Sequence, residues 1–186
     1  MTALRDDALA TLRHWVAPDP GQERLRRAYV DHLDAHPDGT ERACHPAHLT
    51  AGALLLSADR THVLLTLHAK ARRWFHMGGH LEPQDSSLWA GALREGTEES
   101  GVAGLLLDPE PLHLDRHTVA FCGRHEQVDH LDVRFLALAP EGASPTVSDE
   151  SIDVRWWPTD ALPTTFDDMY RLIDTAVARV RQSTSS

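Results

Sequence analysis

Two periodicities divide the chain, with apolar residues at helical spacing near both ends and at strand spacing between them. Apolar side chains fall on one stripe over residues 2–16 and recur at every fourth position over residues 22–33. Proline and glycine interrupt the pattern at 17–21 and again at 36–39. The sequence therefore predicts two N-terminal helices separated by a break.

Strand patterns begin near His48. Residues 49–56 and 61–68 are rich in leucine, and the polar segment between them predicts a hairpin. The alternation over 130–138 is typical of a half-buried strand. The remaining predicted elements are strands over 112–114, 118–122 and 152–157 and a helix over about 165–181.

Strands on both sides of one central helix predict a mixed α/β, or α+β, layered fold. We place an N-terminal helical extension at residues 1–46 and the main domain, including the C-terminal helix, at residues 47–186. The extension could form a homodimer interface, act as a lid over the active site or simply cover the sheet.

The central helix is predicted over residues 88–100. Ser86 or Ser87 can cap its first turn. Gly101 stands where helices commonly end in a left-handed residue. Both ends of this helix are therefore marked in the sequence.

Three carboxylates share one face of this helix. At 3.6 residues per turn, Glu95, Glu98 and Glu99 fall within an arc of about 100°. Like charges at this spacing repel each other unless a cation lies among them. Arg94 neutralises one charge and can pair with Glu98, so the remaining charge favours a hard divalent ion with oxygen ligands, Mg²⁺ or Mn²⁺. A solvated acidic helix face is the alternative interpretation.

The segment before the helix supplies a second feature. The pair Gly78-Gly79 is predicted as a loop whose backbone carbonyls can approach an ion. A basic stretch ahead of it offers Arg72 and Arg73 for binding phosphate, and Trp74 for stacking on a nucleobase or lining a lipid-like tail. An aromatic residue at this position also fits a place in the core.

The run that begins at Gly79 resembles the signature of the Nudix hydrolases, G-x5-E-x7-R-E-U-x-E-E-x-G-U, in which U is aliphatic. In its first half, Asp85 stands for the first glutamate and is followed by eight residues instead of seven. Gly96 replaces an aliphatic residue, which costs up to about 1 kcal/mol of helix propensity. The second half is matched by Arg94, Glu95, Glu98, Glu99, Gly101 and Val102.

The resemblance implies an α/β/α sandwich around a mixed sheet, and hydrolysis of a diphosphate linked to a nucleoside or another group. It makes Glu98 and Glu99 the main metal ligands, with the Gly78 carbonyl as a further ligand. Glu95 matches a position that serves as a ligand or as the general base, and Arg94 would orient the glutamates by ion pairing.

The general base lies outside the signature in several members of that family. Here Glu126 or Asp132 could take the proton from water, and Glu150 is a third, weaker candidate. Charged side chains on a loop and a strand surface are the alternative interpretation of Glu126 and Asp132.

Three functions remain open at this point. The first is a divalent-metal-dependent pyrophosphohydrolase whose partner is a small-molecule, nucleoside-linked or other organic diphosphate. The second is an isomerase of isoprenoid diphosphates, which would require a cysteine and a glutamate in the active cleft. The third is a non-catalytic nucleotide-binding module, for which a cluster of like charges makes little physical sense without a metal.

Composition narrows the setting of these functions. The net charge of −10 argues against a nucleic-acid polymer as partner, since such binding needs a basic face. The longest apolar run, residues 51–56, is far shorter than a membrane span. With a polar N-terminus, these features predict a cytoplasmic protein that does not bind membranes.

Cysteines and histidines add little at this level. Cys44 and Cys122 are too few for a disulfide framework and are expected as buried thiols. The 13 histidines are scattered, which indicates a bias in composition before it indicates a metal cluster. Two pairs could nevertheless be ligands: His45 with His48, and His125 with His130.

Overall fold

A mixed β-sheet forms the centre of the computed structural model. The structure describes residues 3–122, 125–148, 151–163 and 167–183. Within these ranges, the side chains of Phe121, His125, Glu126 and Ser183 are not described. The helices are α1 (Ala3–His14), α2 (Pro20–Ala35), α3 (Leu88–Ser100) and α4 (Asp167–Ser183). The strands are β1 (Ala47–Leu56), β2 (His62–His68), β3 (Trp74–Phe75), β4 (Met77–His80), β5 (Leu106–Cys122), β6 (His125–Leu138) and β7 (Ser151–Pro158).

The sheet branches at its two central strands. Its main path is β3-β2-β1-β6-β5, with β4 added to β1 and β7 added to β2. Strand β1 pairs with β6 in parallel along its whole length, and the other pairs are antiparallel. The free edge of β1 is divided, because residues 50–53 pair with β4 and residues 55–56 pair with β2. Because β4 pairs with β1, the segment that leads from β4 into α3 begins beside a central strand of the sheet.

Both faces of the sheet are covered, which makes β1 a continuous buried strand. Alternate side chains of β1, including Leu49, Ala53 and Leu55, belong to a core shared with α1, α2 and α3. Leu54 and Leu56 point the other way, into a second core with residues of α4. The predicted layered α/β fold with a mixed sheet is therefore confirmed.

The N-terminal helices cover the sheet. Tyr29 and Leu33 of α2 are fully buried in the first core. The Gln22 side chain accepts a hydrogen bond from the Leu114 N–H at 2.7 Å and donates one to the Leu114 carbonyl at 2.9 Å. The Tyr29 hydroxyl donates to the Asp115 carbonyl. Of the three uses predicted for this extension, covering the sheet is the one that the structure shows.

Helix α3 begins and ends at the predicted residues. Ser87, the second of the two predicted caps, accepts from the Ala90 N–H at 3.0 Å. Gly101 ends the helix in the left-handed region, with φ of 66°. Asp7 of α1 adds a cap that the sequence pattern did not indicate, since its carboxylate accepts from the Leu88 N–H at 2.8 Å.

Two predictions about extended segments were wrong. The separate strands predicted over 112–114 and 118–122 are parts of one long strand, β5, whose register against β6 shifts between residues 107 and 113. The predicted glycine loop is the short strand β4. A Cβ on Gly78 would lie 2.9 Å from the Gly52 Cα, so glycine on both strands permits a backbone approach that other residues would block.

The C-terminal helix was predicted from about residue 165, and residues 164–166 lie outside the described part of the chain. Among the described residues, no helix has both the length and the apolar character needed to cross a membrane.

Replacement of Asp7 by alanine tests the cap between helices. We expect Asp7→Ala to lower the free energy of unfolding by about 1 kcal/mol, because the Leu88 N–H at the start of α3 would lose its acceptor. Urea denaturation followed by circular dichroism measures this change. The control is Asp31→Ala on the exposed face of α2, which we expect to change stability by less than about 0.5 kcal/mol. Equal effects of the two substitutions would contradict the capping role.

Candidate active site

The three predicted carboxylates lie on the side of α3 that faces β4, at different depths. Glu99 is the most buried, with 8% of its surface exposed, and its carboxylate accepts from the Gly78 N–H at 2.8 Å. The Glu95 side chain is 13% exposed and the Glu98 side chain is 61% exposed. The cluster therefore extends from the buried carboxylate of Glu99, which is bound to β4, to the solvent-exposed carboxylate of Glu98.

Gly79 makes room for Glu95. A Cβ at this position would lie 2.8 Å from one carboxylate oxygen of Glu95 and 2.9 Å from the other. The two glycines thus have different roles, since Gly78 supplies an N–H to Glu99 and Gly79 leaves space for a carboxylate. Gly78 was predicted to offer its carbonyl to a metal, and that role stays a prediction.

Arg94 links the carboxylates through one guanidinium group. Its Nη1 donates to Glu95 at 3.0 Å and to Glu98 at 3.1 Å, which includes the predicted pair four residues apart. Its Nη2 donates to the His80 carbonyl at 2.9 Å. Its Nε and Nη2 also donate to the two oxygens of Asp85, at 3.0 and 2.9 Å. The side chain is therefore held at every donor nitrogen.

Asp85 is the buried partner of Arg94. Its side chain is 4% exposed, and it accepts a further hydrogen bond from the Glu82 N–H at 2.8 Å. Burial alone would raise the pKa of Asp85, but the hydrogen bonds from Arg94 and from the Glu82 N–H lower that pKa below its ordinary value. The extra residue in the signature therefore does not separate this carboxylate from the arginine.

Gly96, the second departure from the signature, lies where α3 meets β1. A Cβ there would lie 3.1 Å from the Ala53 Cβ and 3.4 Å from a methyl group of Leu105. An aliphatic side chain would not fit without movement of one of these elements. Gly96 thus allows α3 to pack closely on the sheet.

The predicted substrate-binding residues lie on a neighbouring edge. Arg72 and Arg73 are exposed in the turn between β2 and β3, and Arg72 has a left-handed backbone with φ of 56°. Trp74 is half-buried, with its ring 5.3 Å from that of Trp157, and it packs against the second core. The placement of Trp74 matches the core interpretation, and the three binding roles stay predictions.

The candidates for the general base differ in what the structure says of them. The side chain of Glu126 and the whole of Glu150 lie outside the described residues. Asp132 is buried, and its oxygens accept from Thr50 at 3.0 Å and from Arg134 at 2.8 Å. Burial would raise the pKa of Asp132, but the charge of Arg134 lowers it well below its ordinary value. The carboxylate oxygens of Asp132 therefore already accept hydrogen bonds within the protein. Thr50, Asp132 and Arg134 form a buried polar layer.

Two features on the second face of the sheet were missed from the sequence. The first is this polar layer, in which Arg134 also donates to Asp115 at 3.0 Å. The second is a group of histidines around Cys122, contributed by strands far apart in the chain. The alternation of His130, Asp132 and Arg134 along β6 is the sequence signal for the polar layer. For the histidine group, His48 and His130 were named as candidate ligands, but each was paired with a histidine that does not belong to the group.

The NUDIX domain family model matches residues 46–176, and the chain therefore belongs to the Nudix family. Members of this family are typically pyrophosphohydrolases that use divalent metals. The helices α1 and α2 both precede the matched region. A search of curated protein sequences found no match.

Solved structures support the same fold. An Ap4A hydrolase of C. elegans, in a binary complex, shares 18% identity with a TM-score of 0.56, covering 72% of this chain and 98% of its own. The dihydroneopterin triphosphate pyrophosphohydrolase of E. coli shares 15% identity with a TM-score of 0.56, covering 70% and 95%. The NUDIX domain of NrtR from Shewanella oneidensis, complexed with ADP ribose, shares 22% identity with a TM-score of 0.52, covering 75% and 92%. At these identities the similarity shows the fold.

Replacement of Asp85 by asparagine tests the buried ion pair. We expect Asp85→Asn to lower the free energy of unfolding at pH 7 by about 2 kcal/mol, because a charged acceptor of two Arg94 hydrogen bonds is lost. The pKa of Asp85 is lower in the folded chain than in the unfolded chain, so the contribution of its carboxylate is complete above the unfolded-state value of about 3.9. It is lost as pH falls through the lower folded-state pKa.

Urea denaturation at pH 7 and at pH 3 measures both parts of this expectation. The difference between the wild-type chain and Asp85→Asn should narrow at the lower pH. Glu98→Gln is the matched control, because Glu98 shares Arg94 but is exposed, and its loss should cost less than about 0.5 kcal/mol. A larger loss of stability in Glu98→Gln than in Asp85→Asn would show that the buried pair has been misjudged.

Proposed function

We propose that this protein is a divalent-metal-dependent hydrolase that cleaves a diphosphate bond in a nucleoside-diphosphate-linked or other organic diphosphate. The observation that carries the proposal is the set of three glutamates on one face of α3, with Glu99 held on β4 and Arg94 joining the other two. An acidic helix face without a function would not need a buried carboxylate anchored to the sheet.

The donor set of this site fits a hard divalent cation. Three carboxylates, those of Asp85, Glu95 and Glu98, contact the Arg94 guanidinium, and Glu99 adds a fourth carboxylate on the same helix face, so the region is strongly acidic. Both carboxylate oxygens of Asp85 accept hydrogen bonds from Arg94. The groups that would hold Mg²⁺ or Mn²⁺ are therefore the carboxylates of Glu95, Glu98 and Glu99 and the Gly78 carbonyl. When bound, such an ion supplies charge neutralisation for phosphate oxygens and activation of water.

The residues of the chain set the conditions for this reaction. Arg94 restrains Glu95 and Glu98, and the Gly78 N–H restrains Glu99, so that like charges stay close together before a substrate arrives. The oxygen of a water molecule forms a bond to phosphorus while the bridging oxygen leaves with the second phosphate group. A carboxylate takes the proton of that water, and Glu95 and Glu126 are our candidates for this base.

The substrate class is proposed from the family and from the charge of the chain. The similar structures include an Ap4A hydrolase, a dihydroneopterin triphosphate pyrophosphohydrolase and a domain complexed with ADP ribose. We propose a small-molecule diphosphate of this kind for the present chain. Arg72 and Arg73 would contact its phosphates, and Trp74 would contact its base or tail through the exposed part of its ring.

The isomerase alternative receives less support. It needs a thiol in the cleft with the glutamates, but Cys44 contacts Asp38 and Cys122 contacts His80. Along β4, His80 points to the opposite side of the strand from Gly79, which faces Glu95. The non-catalytic module is countered by the anchored carboxylate cluster, since restrained like charges are destabilising without a cation.

Removal of single carboxylate charges tests the metal ligands. We expect Glu98→Gln and Glu99→Gln each to lower kcat by at least about 100-fold with the fold intact, because each would remove a metal ligand. The amide oxygen of glutamine can still accept from the Gly78 N–H, so folding should survive at position 99. Steady-state kinetics and circular dichroism measure the two parts.

Glu110→Gln is the control for a loss of charge alone, because Glu110 is an exposed glutamate on β5. Its turnover should match that of the wild-type chain. Wild-type turnover in both Glu98→Gln and Glu99→Gln would refute the assignment of these residues as metal ligands.

A substrate panel tests the reaction itself. We expect release of phosphate or a mononucleotide from at least one of the nucleoside triphosphates, nucleotide sugars, ADP-ribose, dinucleoside polyphosphates or prenyl diphosphates. The reaction should require Mg²⁺ or Mn²⁺ and stop on addition of a chelator. Chromatography of the products and a phosphate assay identify the bond that is cleaved.

Two results of the panel would favour other functions. Binding of several compounds at micromolar concentration without turnover would favour the non-catalytic module. Isomerisation of a prenyl diphosphate without release of phosphate would favour the isomerase.

A further inference from the structure

Three histidines and a cysteine meet on the second face of the sheet. His48, His80, Cys122 and His130 each offer one ligand atom, and these atoms all lie within 4.8 Å of one another. Four different strands contribute them, β1, β4, β5 and β6. The cluster lies apart from α3 and contains none of its carboxylates.

Strand register brings three of these residues together. His48 is directly opposite His130 in the parallel pair of β1 and β6. His80 is opposite Thr50, the next residue of β1 on the same face as His48. Cys122, near the far end of the long hairpin of β5 and β6, reaches the same place, with its sulfur 3.2 Å from the His80 Nε2. The last described residues of β5 must therefore curve over this face.

The distances within the cluster suit a tetrahedral ion. With bonds of about 2.0–2.1 Å to nitrogen and about 2.3 Å to sulfur, ligand atoms in a tetrahedral zinc site lie roughly 3.3–3.7 Å apart. The Cys122 sulfur lies 3.2 Å from the His80 Nε2 and 3.9 Å from the His48 Nε2. The His48, His80 and His130 rings lie with centroids 5.0–5.2 Å apart. Small shifts of the side chains would bring all four atoms into coordination.

The surroundings prepare the imidazoles as ligands. The His48 Nδ1 lies 3.3 Å from the Cys44 carbonyl, a contact in which Nδ1 donates and Nε2 keeps its lone pair towards the cluster. The Nε2 of His130 is buried and has no hydrogen-bond partner among the described residues. A buried polar atom in this condition is costly unless something binds it.

Burial also favours the neutral imidazoles that coordinate metals. Burial, with the nearby Arg42 and His48, lowers the pKa of His80 to about 4. Burial and the neighbouring histidines lower the pKa of His130 to about 3. Both rings are therefore neutral near pH 7, and the neutral imidazole is the form that binds a metal.

We propose that His48, His80, Cys122 and His130 form a second metal site, for Zn²⁺ or a similar late first-row transition ion. Nitrogen and sulfur donors select this class of ion, whereas the carboxylates of α3 select Mg²⁺ or Mn²⁺. Binding would convert the Cys122 thiol to a thiolate and release its proton to solvent. The ion would tie the hairpin of β5 and β6 to β4, next to the His80 carbonyl that Arg94 holds.

Another group of potential ligands, His36, Asp38 and Cys44, is a weaker candidate. The Cys44 thiol contacts the Asp38 carboxylate at 3.5 Å. Burial and this carboxylate raise the pKa of Cys44 to about 11, which opposes formation of a thiolate. Cys44 nevertheless provides a matched control for substitution of Cys122.

Cobalt substitution tests the proposed site without an activity assay. The metal-free, full-length chain is titrated with Co²⁺ and then with Zn²⁺. We expect one tightly bound Co²⁺ per chain, with the strong visible absorption of a tetrahedral site and a near-ultraviolet thiolate-to-cobalt charge-transfer band. Zn²⁺ should abolish both signals by displacing Co²⁺. Absence of the charge-transfer band in the wild-type chain would overturn the proposal without any variant.

Variants identify the ligands. Cys122→Ser should lose the charge-transfer band, and Cys44→Ser should keep it, because only Cys122 belongs to the proposed site. His130→Ala should weaken Zn²⁺ binding by about 100-fold or more. Circular dichroism checks the fold of each variant before titration.

Three outcomes would overturn the assignment: a band that persists in Cys122→Ser, a band that disappears in Cys44→Ser, or full Zn²⁺ affinity in His130→Ala. Glu98→Gln should leave the cobalt spectrum unchanged, since it alters only the carboxylate site. This separates the proposed site from the proposed hydrolase function, which can fail without affecting it.

Discussion

The close backbone approach of β4 to β1 is the constraint on which both candidate sites depend. Gly52 and Gly78 face each other across this pair, where a Cβ on either would meet the opposite backbone. The short strand that results has three consecutive residues with different uses. Gly78 donates to Glu99, Gly79 leaves space for Glu95, and His80 points to the other side. A longer side chain at Gly52 or Gly78 would push β4 away from the sheet and disturb all three.

Arg94 makes the carboxylate cluster compatible with a folded chain. Restrained like charges raise the free energy of the native state, and a single exposed ion pair would return only a few tenths of a kcal/mol. The buried, two-bond contact with Asp85 is stronger because both groups are shielded from water and matched in shape. It fixes the guanidinium in the orientation from which Nη1 reaches Glu95 and Glu98. Asp85 therefore acts on the acidic site through the arginine.

Two kinds of donor lie on opposite sides of one short strand. The α3 side offers carboxylate oxygens around an arginine, and the other side offers imidazole nitrogens and a thiol. By donor chemistry alone, a hard cation such as Mg²⁺ would bind the carboxylate side, and a borderline cation such as Zn²⁺ would bind the histidine and cysteine side. The His80 carbonyl, held by Arg94, belongs to the residue whose ring enters the histidine cluster. A change in the position of β4 would consequently move groups in the carboxylate cluster and in the histidine cluster.

Local signals in the sequence were enough to determine α3, its caps and the common face of its glutamates, because capping and helical spacing involve residues within a few positions of one another. The Nudix resemblance and the layered fold followed from the same run and from the order of the strands. Only the tertiary structure decided that the glycine pair forms a strand, that Asp7 caps α3, and that His48 meets Cys122. These contacts join residues far apart in the chain. Strand register and the curvature of β5 bring them together, and neither is recorded in a local sequence pattern.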